Sequence, residues 1–300
     1  MAKLTLPEYE GVCSGNLGCP GCGANLVMRY LLKGLGDKVI LSIPACCWAV
    51  IPGYYPNSSL KPPTIYTAFE ATGASISGIR AALDIKGDRE TIIVGYAGDG
   101  GTADIGMQAL SGAAERGTDA IYVMYDNEAY MNTGIQRSSS TPRGAWTTTT
   151  PGGKTGYWKR EIKKDMMKIM IAHRIPYAAS VSVGFPEDFV KKIKKAKEER
   201  GLRFIHAFSP CPPGWRYDPS KTVEIAKLAV DTHIFPLFEV KHGKYTITRK
   251  GKGIPVSEYF APQRRFSHLR DDDIEVIQKR VSLDWDLLLK TADVMDSELY

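Results

Sequence analysis

The sequence predicts an α/β protein built on a parallel sheet, and three observations carry that reading. Short runs that are apolar on both faces recur between about residues 25 and 210, as in strands covered by helices on either side. Helix-like segments with start and stop signals alternate with them, the pattern a parallel sheet leaves in a sequence. The 300 residues are 43% apolar and 24% charged, a globular balance with ample length for a buried core. A disordered tail, a collagen-like fibre and a small disulfide-stapled domain are excluded.

Taken in order, strands are predicted over residues 39–43, 91–97 and 120–125, with weaker ones over 178–183 and 203–208. Residues 72–83, rich in Ala, Ser and Ile, read as a helix, as do 103–116, where Ile105, Leu110 and Ala113 fall near helical spacing. Residues 186–200 open on Pro-Glu-Asp and end in lysines before Gly201, which are helix start and stop signals. Two regions break the alternation. Residues 138–155 form a polar loop of a length that is usually functional or disordered. Residues 212–300 contain a hairpin-like stretch, 237–248, and a charged helical end. The expected organisation is a binding domain over 1–211 and a C-terminal extension over 212–300 that packs on the core or on a partner.

The 39 basic and 33 acidic residues leave a formal charge of +6, mild for this length. It suits an acidic partner or an anionic cofactor and gives no argument for nucleic acid. No stretch of about 18 apolar residues occurs, and the first residues lack a long apolar segment. A cytoplasmic protein is expected, with its six cysteines acting as thiols or metal ligands before disulfides.

The strongest local motif follows the second strand. Gly98-Asp99-Gly100-Gly101 leads into a helix, the next strand, and then Asp126-Asn127. Parallel neighbours end at one edge of the sheet, so Asp99 and Asn127 can converge on one cation. A carboxylate and an amide oxygen suit Mg²⁺ or Ca²⁺. The glycines let backbone approach phosphate oxygens, and a helix start behind them offers N–H donors. The physical reading is a diphosphate bridged to the protein through the cation. Gly-Asp-Gly alone is a common turn. There is no P-loop, and the dinucleotide fingerprint is met only in a looser form with Ala103 in third place, so a dinucleotide site stays open on this turn alone.

Cys19-Pro20-Gly21-Cys22 is a C-x-x-C, with Cys47 and Cys211 each just past a predicted strand. Both should therefore emerge at the edge that carries Asp99 and Asn127. Four thiolates suit a tetrahedral zinc or a [4Fe–4S] cluster, and only the cluster can take electrons. Cys46 competes with Cys47, and Cys13 reads as a plain buried thiol. His173, His206, His233, His242 and His268 show no metal spacing, and His206, inside a strand, should pack in the core. Lys191–Lys195 reads as a solvated helix face, Arg137 as a substrate, partner or surface residue, and Tyr54 and Tyr55 as core or interface.

Gly98-Asp99-Gly100, with Asn127 28 positions after the aspartate, resembles the thiamine-diphosphate motif, and the run Asp126-Asn127-Glu128-Ala129-Tyr130-Met131-Asn132-Thr133-Gly134 is more specific. Together they resemble the β subunits of pyruvate:ferredoxin oxidoreductases (pyruvate synthases), within the 2-oxoacid:ferredoxin oxidoreductases, from about residue 10 to 270. The resemblance implies a thiamine-diphosphate-binding fold with Mg²⁺ held by Asp99, Asn127 and the Ala129 carbonyl. It implies a diphosphate beside Gly98, Gly100 and Gly101, and Asn132, the candidate catalytic residue, near the thiazolium. It further implies a [4Fe–4S] cluster on Cys19, Cys22, Cys47 and Cys211, with Cys47 also beside the cofactor. Some relatives have Thr at position 127, which also offers an oxygen, and Glu where Ala24 stands here, so no side-chain contact is assigned there. The implied reaction is oxidative decarboxylation of a 2-oxoacid, pyruvate first, to acyl-CoA and CO₂ with reduction of ferredoxin. The implied partners are an α subunit that binds the pyrimidine and supplies the activating glutamate, and γ and δ-type ferredoxin-like subunits. Gly101 and Glu128–Met131 fit the pyruvate and branched-chain side better than the 2-oxoglutarate branch; oxalate and aryl 2-oxoacids stay open. Outside this family the alternatives are a non-oxidative thiamine decarboxylase or synthase and a zinc-stapled scaffold.

Overall fold

The computed structural model describes residues 5–54, 56–151 and 158–295. Tyr55 and residues 152–155 of the long loop lie outside them. In chain order the elements begin with α1 (Gly23–Leu35), β1 (Val39–Pro44), β2 (Thr64–Thr67), α2 (Thr72–Ile85), β3 (Ile92–Gly98), α3 (Asp99–Ala103), α4 (Met107–Glu115) and β4 (Ala120–Asp126). They continue with α5 (Met166–Ala172), β5 (Tyr177–Ser182), α6 (Pro186–Glu198), β6 (Leu202–Phe208), α7 (Pro212–Trp215) and α8 (Thr222–Asp231). The last are β7 (Leu237–Lys241), β8 (Lys244–Arg249), α9 (Val256–Phe260) and α10 (Asp271–Val294). Among the described residues no helix is long and apolar enough to cross a membrane.

Eight strands form one sheet in the order β2-β1-β3-β4-β6-β5-β7-β8. The first six are parallel, and β7 and β8 add antiparallel at the far side. Every residue of β4 and β6 is buried, as sequences apolar on both faces require. Alternate side chains feed two cores. Tyr96, Val123 and Ile205 face one with α1 and α6, and Ala97, Met124 and Phe204 face the other with α2, α4 and α5. Val256, Tyr259 and Phe266, from the C-terminal stretch, belong to the first core, so β7, β8 and α9 extend the same body.

Three expectations need correction. The helix foreseen over 103–116 begins only at Met107, because α3 ends at Ala103 and the chain turns at Asp104 before α4. The Asp104 carboxylate accepts from Tyr130 Oη at 2.7 Å and from the Ser139 amide at 3.1 Å, and a Cβ on Gly106 would sit 2.0 Å from the Gly101 carbonyl oxygen. Lys192 is not on a solvated face. It is 1% exposed and donates to the Ser180 carbonyl, Asp188 and Thr248, fastening α6 to β5 and β8. Cys13 is exposed, in the stretch that follows the isolated bridge between Val12 and Leu60. Tyr54 is also largely exposed. His206 is buried as expected, edge-on to Phe235.

Candidate functional site

The chain leaves β1 toward β2 on one side, while β3 leads to β4 on the other. The crevice between β1 and β3 is therefore a topological switch point, where open α/β sheets bind ligands. A cavity of about 360 Å³ lies there. Ala45–Cys47, after β1, line one side, Gly98–Gly101, at the end of β3, another, and Asn127 with Ala129–Thr133, after β4, a third, with Ala49, Val50, Phe69 and Tyr125 between them. Asn132 is at this cavity; Arg137 is not among its lining residues and pairs with Glu161 at 3.5 Å.

Asp99 begins α3 and is 1% exposed. One terminal atom of the Asn127 amide lies 2.8 Å from Asp99 Oδ1 and 3.0 Å from the Ala129 carbonyl oxygen. With the amide nitrogen there, it donates to both. With the oxygen there, three oxygens converge, which is the donor set of a hard cation. Burial, and then the negative charge of Asp126, push the Asp99 carboxyl well above its usual range, opposed by a hydrogen bond from Ser138 Oγ. A buried carboxylate beside a second one is a site short of positive charge, so the residues present fit Mg²⁺. Gly100 has no room for a side chain: a Cβ would meet the Tyr130 ring at 2.1 Å. First-turn amides of α3 have no partner within the helix and face the same end of the strand.

Behind these groups runs a buried charged network absent from the sequence expectations. Asp126 Oδ2 accepts from Lys163 Nζ at 2.6 Å, His206 Nε2 at 2.7 Å and Ser140 Oγ at 2.8 Å. Burial alone would raise its carboxyl, but Lys163 and His206 win and hold it well below the ordinary range. Glu128, at φ 65°, bridges Lys163 and Arg265, each at 2.7 Å, and its carbonyl accepts from Thr141 Oγ1 at 2.7 Å. Ser138, Ser140 and Thr141 are buried, so this part of the polar loop forms the rear wall of the site. The signal available in the sequence was the loop's length and its run of hydroxyls; nothing local pointed to Lys163 or Arg265.

The cysteines gather on the same edge. Gly23 N donates to the Pro210 carbonyl at 3.1 Å, and a Cβ on Gly23 would lie 2.6 Å from that oxygen, so Cys22 and Cys211 sit on segments in direct contact. Cys47 N donates to Tyr125 Oη at 3.1 Å. A Cβ on Gly214 would lie 2.2 Å from Met131 Sδ and 3.4 Å from Cys211 Sγ, so Met131 packs between the cavity and the turn of Cys211. Burial raises the Cys47 thiol, with the charges of Cys46, Cys211 and Cys22 adding to it, and burial pushes Cys211 up to about 12. Cys19 is exposed. Among the described residues no three His, Cys, Asp or Glu side chains close around a single ion.

Residues 46–207 match the family model described as the thiamine pyrophosphate enzyme, C-terminal TPP binding domain. The chain is 55% identical to ketoisovalerate oxidoreductase subunit VorB of Pyrococcus abyssi, over 97% of this chain and 96% of that one. It is 49% identical to pyruvate synthase subunit PorB of Methanocaldococcus jannaschii, over 94% and 97%. The chain belongs to the β-subunit family of the 2-oxoacid:ferredoxin oxidoreductases. A chain of the 2-oxoglutarate:ferredoxin oxidoreductase of Magnetococcus marinus shares the fold at a TM-score of 0.58 and 22% identity, over 74% of this chain and 82% of that one. The matched thiamine pyrophosphate region of this β-subunit family member takes in Cys47, Asp99, Asn127, Ala129 and Asn132. Cys19, Cys22, Cys211 and Arg265 lie outside it. The cavity's Asp99, Asn127 and Ala129 thus fall in the matched region, and the remaining candidate cluster cysteines outside it.

Proposed function

We propose that the chain is the thiamine diphosphate and iron–sulfur subunit of an enzyme that oxidatively decarboxylates a short 2-oxoacid, pyruvate or a branched-chain counterpart, to acyl-CoA and CO₂ while reducing ferredoxin. The observation that carries this reading is the meeting, at one strand edge, of the oxygen donors after β3 and β4 with the cysteines after β1 and β6. Asp99, Asn127 and the Ala129 carbonyl would hold Mg²⁺, and the backbone of Gly98, Gly100 and Gly101 would lie along the diphosphate. Bound thiamine diphosphate supplies the nucleophile and the electron sink for loss of CO₂. Asn132 borders the space left for the reacting end of the cofactor and for substrate. Tyr130, fixed by Asp104, packs over Gly100, and Met131 packs between the cavity and Cys211. Cys19, Cys22, Cys47 and Cys211 would hold a [4Fe–4S] cluster.

Identities of 55% to a subunit named for ketoisovalerate and 49% to one named for pyruvate synthase support a short-chain 2-oxoacid of either kind. The test is the complete multi-subunit complex from the native source, assayed for thiamine diphosphate, Mg²⁺, iron and acid-labile sulfide. Ferredoxin reduction is then followed with pyruvate, 3-methyl-2-oxobutanoate and 2-oxoglutarate in the presence of coenzyme A. Turnover of one of the first two with iron and sulfide present is expected. Zinc in place of iron, or decarboxylation without ferredoxin reduction, would overturn the reading.

A further inference from the structure

Glu128 stands between Asn127 and Ala129, two of the three groups proposed to hold Mg²⁺, and its backbone is left-handed at φ 65°. That conformation costs a side-chain-bearing residue energy and persists only where its surroundings impose it. Here it reverses the chain so that one terminal atom of the Asn127 amide lies both 3.0 Å from the Ala129 carbonyl oxygen and 2.8 Å from Asp99 Oδ1. The carboxylate of Glu128 is 2% exposed and is held from two directions, by Lys163 and by Arg265. Arg265 lies 137 positions away, is itself 2% exposed, and is oriented by Gln263 Oε1 at 2.9 Å and Tyr259 Oη at 3.0 Å. Its guanidinium stacks 3.7 Å from the Trp215 ring, and Trp215 Nε1 donates to the Asn127 carbonyl at 2.8 Å.

We propose that Arg265 is a positioning residue for the cation site: through Glu128 on one side and Trp215 on the other, it fixes the 127–129 turn in the form that presents two oxygens to Mg²⁺. The inference rests on the proposed Mg²⁺ and thiamine diphosphate site. Arginine suits the task because one planar group stacks on the indole while its edge pairs with the carboxylate. Without it, Trp215 loses its stacking cover, Glu128 keeps only Lys163, and the turn relaxes from its left-handed form. The cation site is then built only at the cost of cation binding, while the diphosphate cradle after β3 is untouched.

The experiment uses the purified complex, stripped of cofactor, carrying Arg265→Gln or Arg265→Lys. Mg²⁺ is titrated at fixed thiamine diphosphate, and the cofactor retained after gel filtration is measured. Arg265→Gln should raise the Mg²⁺ concentration for half-maximal retention about tenfold or more, with full retention recovered at saturating Mg²⁺ and far-ultraviolet circular dichroism unchanged. Arg265→Lys, which keeps the charge and loses the stack, should fall between. Adding Glu128→Gln to Arg265→Gln should shift the midpoint by less than the two single shifts combined, because the Arg265–Glu128 pair is lost in both. A midpoint within twofold of wild type in Arg265→Gln overturns the proposal, as does lowered retention that saturating Mg²⁺ does not restore. If Arg265→Gln does not assemble, Arg265→Lys decides: a raised midpoint with full recovery supports the role and an unmoved one overturns it. Wild-type protein whose retention ignores Mg²⁺ would instead bring down the underlying site, and this role with it.

Discussion

At the scale of single residues, the site is organised by which of two buried carboxylates has partners. Asp126 has Lys163, His206 and Ser140, and stays ionised. Asp99 is buried, has Ser138 and faces the charge of Asp126, so burial first and that charge second hold its carboxyl well above the usual range. A raised folded-state value means that its contribution to stability is present at low pH and is lost as pH rises through that value. Asp99→Asn removes this loss and keeps the shape and a hydrogen-bond partner for Ser138. In cation-free buffer the variant should melt above wild type, with a gap that widens as pH rises from 4 toward 8; at neutral pH a gap of about 2 °C or more is expected. It should also fail to retain thiamine diphosphate at Mg²⁺ concentrations that saturate wild type. Scanning calorimetry with and without Mg²⁺ checks both halves, and a variant that melts below wild type at every pH contradicts the account. Asp99 and Asn127 were legible in the sequence because each directly follows an apolar strand. Glu128, Lys163 and Arg265 were not, because their meaning lies in contacts 35 and 137 positions apart that no local pattern encodes.

At the scale of elements, the buried strands were legible to within about a residue, since runs such as 92–98 and 120–126 are apolar on both faces and need no neighbour to be read. The edge strand β2 was not, because Thr64–Thr67 is four residues long with Ile65 and Tyr66 exposed. The break between α3 and α4 was hidden by Ile105, Leu110 and Ala113, whose spacing is helical although Ile105 is exposed. The packing of helices over the sheet rests on small residues that periodicity does not reveal. Gly73 in α2 faces α4 so closely that a Cβ would lie 2.5 Å from the Ala109 backbone carbonyl carbon and oxygen. Backbone cannot swing aside as a side chain can. Gly73→Ala should therefore destabilise the chain by about 1–3 kcal/mol despite alanine's better helix propensity. Urea unfolding measures it, and a stabilised variant would mean that α2 and α4 are not in this contact.

At the scale of the whole molecule, the cavity is built from one chain's strand ends and stays open on one side. Among the described residues that line it, Asp99 is the only acid, and the proposed function assigns it to the cation. Thiamine chemistry needs a further carboxyl group to move a proton on the aminopyrimidine, and the resemblance assigns that group to a separate α subunit. The relatives reported above are themselves named as subunits. The lining and the naming of the relatives as subunits both support the proposal that a partner subunit completes the site. The isolated chain, loaded with Mg²⁺ and thiamine diphosphate, should neither exchange CO₂ with the carboxyl of pyruvate or 3-methyl-2-oxobutanoate nor reduce a viologen dye. Adding the remaining subunits of the complex should restore both reactions, and CO₂ exchange should need only the α-type subunit, because it involves no electron transfer to an external acceptor. Labelled-CO₂ exchange and dye reduction, run on the chain alone and on each recombination, separate these outcomes. Robust exchange by the chain alone would mean that a proton-transferring carboxylate reaches the cavity from within it.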